Sequence, residues 1–225
     1  MILKGSREEL VEKAAWILAD VMQELLEEQD HVVLAVPGGR SVAKVFERLR
    51  DEPLPWDRVH VFMVDERLVP LGDDESNFRL VEEHLASDGL PERNLHPFKH
   101  VPDAHDAGIR AYERELESLG GSFDVVLLSA GEDGHVGGLY PNHHSVSEQG
   151  VFVTMDDSPK PPARRMTASR GLLEKAGAAV VLFFGESKGV ALEKFLEEGP
   201  VESCPARLVK SLESWYALTD QDFSG

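Results

Sequence analysis

The sequence predicts an α/β protein built on a mainly parallel sheet with helices on both faces. Short apolar runs of strand length recur at 31–36, 59–64, 123–130 and 178–184. They lack a strict period of two, as expected of parallel strands covered on both sides. Helical patterns separate them, which implies βαβ units and a doubly wound sheet.

Taken in order, Leu10, Ala14, Ile17, Val21 and Leu25 recur every three to four residues, and Val11, Leu18 and Met22 widen the stripe. This spacing predicts an amphipathic helix over 7–28, with Ser6 as its N-cap. The run at 31–36 closes in Pro37-Gly38-Gly39, and 41–49 reads as the next helix. The run at 59–64 ends in Asp65-Glu66-Arg67, and that at 123–130 in Gly131-Glu132-Asp133-Gly134-His135. The run at 178–184 ends in Gly185-Glu186-Ser187-Lys188 and leads into a helix through Leu196. Weaker strand candidates lie at 151–155 and 215–218, a proline-rich loop at 156–165, and a frayed tail at 220–225. A length of 225 residues accommodates the whole of 1–225 as a single α/β domain.

Forty-one acidic side chains against 23 basic ones give a net charge of −18. That balance argues against a nucleic-acid backbone or an anionic lipid surface as general partner. No run of roughly 18 apolar residues is present, so no membrane helix is expected. The N-terminus lacks the apolar core of a secretory signal. Cys204 is the single cysteine and cannot form an internal disulfide, which favours a reducing, cytoplasmic setting. It is followed by proline with no histidine nearby, and is read as inert. A monomer or a homodimer is expected.

The polar and glycine-rich residues cluster after the strands, at the carboxyl edge where open α/β sheets bind ligands. Gly38 and Gly39 allow backbone N–H groups to approach an anion, and Arg40 and Ser41 open a helix whose dipole favours negative charge. The spacing fits neither a Walker loop nor a dinucleotide fingerprint, and a plain strand-to-helix turn is the alternative. Lys188 repeats the arrangement at another strand end. Arg164 and Arg165 could clamp phosphate in a bidentate fork, or form a solvated surface pair. Asp65 emerges from a buried strand and must be paired there, whether as a site carboxylate or as a helix cap or salt bridge.

His135 is the sharpest candidate, because its side chain takes and returns protons near neutral pH. Asp133 could fix its tautomer, and Gly134 could aim an N–H at a developing oxyanion. A structural histidine is the alternative. His143-His144 lacks a matching carboxylate or cysteine pair, so no metal site is expected. Serine-hydrolase chemistry lacks its GxSxG elbow.

The segments GGRS (38–41), DERLVP (65–70), SNFR (76–79) and GEDGHVGGLYP (131–141), with SPKPPARRMT (158–167) and GESK (185–188), resemble the glucosamine-6-phosphate isomerase/6-phosphogluconolactonase family. The fold implied is the one shared by glucosamine-6-phosphate deaminases and similar to ribose-5-phosphate isomerases. The activity implied is hydrolysis of 6-phospho-D-glucono-1,5-lactone to 6-phosphogluconate, the second step of the oxidative pentose phosphate pathway. In that reading His135 activates water, Asp133 orients it and Asp65 completes the catalytic set. The phosphate sits on Gly38, Gly39, Arg40 and Ser41, with Arg67, Arg164, Arg165 and Lys188 around it. No cofactor is required.

The deaminase branch typically carries Asn-Glu-Pro after DGH, with its glutamate where this chain has Tyr140, and a tyrosine where this chain has Arg67. Both favour the lactonase. Three positions depart from the usual pattern: Val42 after GGRS, Ser129 in place of a glycine, and Val-Gly-Gly after His135. A deaminase/isomerase-like enzyme and a non-catalytic sugar-phosphate binder of the same fold remain the alternatives.

Overall fold

A computed structural model describes residues 1–222 except 88 and 103. The chain runs through β1 (Ile2–Lys4), α1 (Arg7–Glu28), β2 (Val32–Val36), α2 (Arg40–Leu49), β3 (Val59–Met63), β4 (Asp65–Arg67), α3 (Asn77–His84) and β5 (Leu95–His96). It continues through α4 (Ile109–Glu117), β6 (Val125–Ser129), β7 (Phe152–Met155), β8 (Arg165–Ala168), α5 (Arg170–Leu173), β9 (Ala178–Phe183), α6 (Gly189–Leu196) and β10 (Ser214–Thr219).

Seven strands form one sheet in the order β1-β10-β9-β6-β2-β3-β5, every neighbouring pair parallel. The missing two-residue alternation has a direct cause. Val33 and Ala35 of β2 face a core built with α4, α5 and α6, while Val32, Leu34 and Val36 face one built with α1, α2 and α3. With both faces buried, neither position tolerates a polar side chain. Each fully buried aliphatic contributes roughly 1.5–3 kcal/mol. The expected α/β architecture, with a mainly parallel sheet between helices, is what the chain adopts.

Helix α1 begins where the sequence places it. The Ser6 hydroxyl accepts the Glu9 amide at 3.3 Å, and the Glu9 carboxylate accepts the Ser6 amide at 2.9 Å, a reciprocal cap. Its buried stripe ends on Met22 and Leu26, with Val21 and Leu25 only half-buried.

The strand candidate at 151–155 is a strand, β7, and it lies outside the main sheet, in a small antiparallel one of order β4-β8-β7. The segment read as loop up to 165 therefore ends in a strand that starts at Arg165. Its partner β4 is three residues long, Asp-Glu-Arg, and both strands bury charged side chains, so neither shows an apolar run. The tail is also tied down in part. The Asp220 carboxylate accepts the Gly185 amide at 2.8 and 3.1 Å, and Asp222 pairs with Lys4. Residues 223–225 of the expected frayed tail lie outside the described residues.

The small sheet matters for function because it is stitched to the large one. Val64 donates its amide to Val36 O at 2.8 Å and accepts the Ala168 amide at 2.7 Å. The chain thus passes from β3 into β4 at the carboxyl edge of the main sheet, and delivers Asp65 and Arg67 beside the ends of β2 and β6. Among the described residues no helix is long and apolar enough to cross a membrane.

Candidate active site

The ends of β2, β3, β6 and β9 open into one cleft of about 700 Å³. Its lining includes Gly38, Gly39, Arg40, Ser41, Asp65, Arg67, His135, Arg165 and Lys188, all expected from the sequence.

The loop after β2 approaches closely because it can. A Cβ at Gly38 would lie 1.8 Å from Asn77 Oδ1, so only glycine fits; Gly39 has φ +104°. Arg40 and Ser41 occupy the first turn of α2, where amides have no intrahelical partner and face the cleft with the positive end of the helix dipole. The Ser41 hydroxyl lies 2.9 Å from that of Ser129. Ser129, the last residue of β6, thus ties the loop after β2 to that strand.

Asp65 is buried, with Oδ2 3.6 Å from Arg165 Nη1 and 3.3 Å from Asn77 Nδ2. Burial pushes its carboxyl above the usual range, against the pull of Arg165, Arg67 and His135. The helix-cap alternative falls to its neighbour. Glu66 accepts the amides of Asn77 and Phe78 at 2.7 and 2.8 Å and the Ser76 hydroxyl at 3.0 Å, so it holds the start of α3. Arg67 lines the cleft while its guanidinium donates to Glu75 O.

His135 Nδ1 lies 2.6 Å from Asp133 Oδ1, which also accepts the His135 amide at 3.1 Å. Burial pushes the Asp133 carboxyl up, but the His135 ring and amide outweigh it and hold it well below the carboxylate range. An ionised Asp133 accepts a hydrogen bond from Nδ1–H, which keeps the ring proton there and leaves Nε2, which has no partner among the described residues, unprotonated in the cleft. The ring packs over Gly131, where a Cβ would lie 2.0 Å from Cε1, and against Tyr140, with centroids 4.8 Å apart.

Three expectations change. The Gly134 amide donates to Gly131 O at 3.1 Å and does not line the cleft, so it is no oxyanion donor. Gly134 serves the turn instead, with φ +95° and Cys204 Sγ 2.8 Å from where its Cβ would stand. Arg164 is exposed and points away, since adjacent positions about a strand face opposite sides. Arg165 does face the cleft but is no free clamp. Its Nε donates to Pro162 O at 3.0 Å and Nη2 to Pro161 O at 2.8 Å, so it anchors the proline loop and leaves Nη1 toward Asp65.

Lys188 lines the cleft; burial lowers its ammonium, opposed by Glu132 and Asp133. Three further lining residues, Arg7, Lys160 and Asn77, were not expected there from the sequence. Arg7 opens α1 and lies 5.6 Å from the Phe184 ring. Lys160 stands on the proline loop and pairs with Glu132. Asn77 is buried, donates to Asp65 O at 2.9 Å and leaves Oδ1 without a partner. Asn77 and Lys160 had a signal, their places in SNFR and SPKPPARRMT. Six cationic side chains, Arg7, Arg40, Arg67, Lys160, Arg165 and Lys188, thus face two carboxylates, Asp65 and Glu132, on a chain of charge −18. Screening over about 8 Å keeps the acidic exterior from cancelling that local field.

The tandem histidines gain the carboxylate that the sequence reading did not find for them: His143, His144 and Asp157 bring ligand atoms within 4.8 Å of one another. Hydrogen bonds occupy part of this cluster. His143 Nδ1 accepts the Ser145 amide at 3.2 Å, while its Nε2 lies 3.4 Å from Asp157 Oδ1 without a hydrogen bond. His144 sets one nitrogen on Glu148 at 2.9 Å and the other on Asp157 at 3.0 Å.

Residues 5–217 match the family model described as glucosamine-6-phosphate isomerases/6-phosphogluconolactonase. Among similar proteins, a 6-phosphogluconolactonase from Thermotoga maritima is 33% identical over 198 residues, 87% of this chain and 88% of that one. One from Borreliella burgdorferi is 31% identical over 212 residues, 89% of this chain and 90% of that one. Among solved structures, the 6-phosphogluconolactonase of Thermotoga maritima superposes with a TM-score of 0.84 at 30% identity, covering 97% of each chain. A monomeric glucosamine-6-phosphate deaminase shares the fold at a TM-score of 0.80 and 23% identity, over 98% of this chain and 96% of that one. The cleft therefore sits in a known framework: the chain belongs to the glucosamine-6-phosphate isomerase/6-phosphogluconolactonase family.

Proposed function

We propose that the protein is a 6-phosphogluconolactonase that hydrolyses 6-phospho-D-glucono-1,5-lactone to 6-phosphogluconate in the cytoplasm, as the second step of the oxidative pentose phosphate pathway. The observation that carries this reading is the Asp133–His135 pair opening into a cleft lined by six cationic side chains. The phosphate rests on the amides of Arg40 and Ser41, with Arg40 and Lys188 beside it. Holding that end fixes the carbonyl carbon near His135 and removes orientational freedom before the barrier is reached.

His135 Nε2 takes a proton from water as the oxygen attacks the carbonyl carbon. The carbonyl electrons move to oxygen, and the resulting anion lies in the positive field of Arg67 and its neighbours. When the tetrahedral adduct collapses, the bond to the ring oxygen breaks and the His135 imidazolium returns its proton there. Water has added across the ester, and the enzyme regains its starting state. General-base help of this kind is worth about 10²–10⁴-fold, which suits an ester that already hydrolyses unaided. Asp65 acts as a positioning residue, holding Asn77 and Arg165. No cofactor enters the route.

The deaminase reading needs a carboxylate where Tyr140 stands, buried against His135. The test is to follow acid release from freshly made phosphorylated lactone, with buffer-only decay subtracted, beside ammonia release from glucosamine 6-phosphate. Lactone turnover without ammonia supports the proposal. Ammonia without lactone turnover overturns it.

A further inference from the structure

Glu132 has no part in the route above, yet it lines the same cleft and sits in the turn that carries Asp133 and His135. Its Oε1 accepts a hydrogen bond from Lys160 Nζ, on the loop ahead of β8. Lys160 holds the Glu132 carboxyl below its ordinary range, with Lys188 adding to the effect, so it is ionised across neutral pH. In return Glu132 raises Lys160 and is the leading charge that opposes the burial of Lys188. Two of the six cleft cations therefore already face the Glu132 carboxylate.

We propose that Glu132 is a built-in competitor for the substrate's phosphate: it holds Lys160 and draws on Lys188 in the free enzyme, and an arriving phosphate replaces it. The inference rests on the phosphorylated-lactone reading for the class of ligand. Replacement is favoured by charge, since a phosphate monoester carries about −1.5 to −2 at pH 7 with three acceptor oxygens, against −1 for the carboxylate. It is easy mechanically because the Glu132 side chain is 57% exposed and swings into water without desolvation. The exchange sets phosphate affinity below what the cations alone would provide, and it helps a phosphorylated product to leave. An uncharged lactone has nothing to exchange with Glu132.

Exposed ion pairs are weak, so the effect of removing Glu132 is modest, about two- to fivefold in affinity. Titration calorimetry with inorganic phosphate reads it directly. Glu132→Gln should tighten phosphate binding by that factor and lower KM for the phosphorylated lactone in step, while KM for unphosphorylated glucono-1,5-lactone stays put. Adding Lys160→Met to Glu132→Gln should erase the gain. Unchanged or weaker phosphate binding in Glu132→Gln overturns the proposal, as does a gain that survives without Lys160, or an absence of phosphate binding in both proteins. Because calorimetry needs no turnover, tightening without lactone hydrolysis would keep this inference and contradict only the lactonase reading.

Discussion

Asp133 Oδ1 receives both the ring Nδ1, at 2.6 Å, and the backbone amide, at 3.1 Å, of His135 two residues on. The left-handed Gly134 between them lets the chain fold back far enough for one oxygen to hold both groups. Asp133→Asn offers an amide N–H where the ring presents its own proton, which turns the imidazole to the wrong tautomer. The expected outcome in steady-state kinetics is a kcat lower by about 10²–10⁴-fold with KM little changed. A wild-type kcat would contradict the orienting role.

Gly131→Ala isolates the position of the ring. The backbone at Gly131 lies outside the left-handed region, so alanine is tolerated by the main chain. Its Cβ would nevertheless lie 2.0 Å from Cε1 of His135. The ring must move, and a displacement of about 1 Å is worth on the order of 10²-fold in rate. Activity should collapse while the circular dichroism spectrum and phosphate binding stay close to wild type.

Arg164 and Arg165 are neighbours with opposite fates. Arg164→Ala should leave both KM and the thermal midpoint near wild type. Arg165→Ala removes the partner of the buried Asp65 and frees the carbonyls of Pro161 and Pro162. Loss of one member of a buried pair costs about 3–5 kcal/mol, readable as a large drop in the urea midpoint. Equal effects from the two variants would contradict the geometry.

That contrast also shows how far the residues alone lead. The parallel strands are legible because a strand buried on both faces must be apolar throughout, as β2 and β9 are. Ser6 announces α1 because its hydroxyl and Glu9 can only cap each other. The small sheet is hidden because β4 spells Asp-Glu-Arg and β8 begins with a buried arginine, so charge masks the strand. Which of two adjacent arginines faces the cleft depends on the start of β8. Whether the Gly134 amide is free depends on how the turn after β6 closes on Gly131. Arg7 reaches the cleft from the start of α1, close to the N-terminus, and no local pattern marks it.

His60 supplies a pH test away from the cleft. Its Nδ1 lies 2.9 Å from His96 Nε2, and burial, aided by His96 and His31, lowers its pKa to about 4. The unfolded chain, with His near 6.5, binds more protons between those values, so stability is full above about pH 6.5 and is lost as pH falls through 4. The ring is only half-buried, and after screening the loss is on the order of 1 kcal/mol. Urea midpoints at pH 7 and pH 5 should differ in the wild type and differ less in His60→Gln. Equal slopes would contradict the assignment.

The most direct measurement compares wild type with His135→Ala on fresh 6-phospho-D-glucono-1,5-lactone, with spontaneous hydrolysis subtracted and inorganic phosphate affinity measured on the same samples. The expected result is a turnover lower by about 10²–10⁴-fold with phosphate binding retained. Wild-type turnover in His135→Ala would contradict the central claim that this histidine is the base.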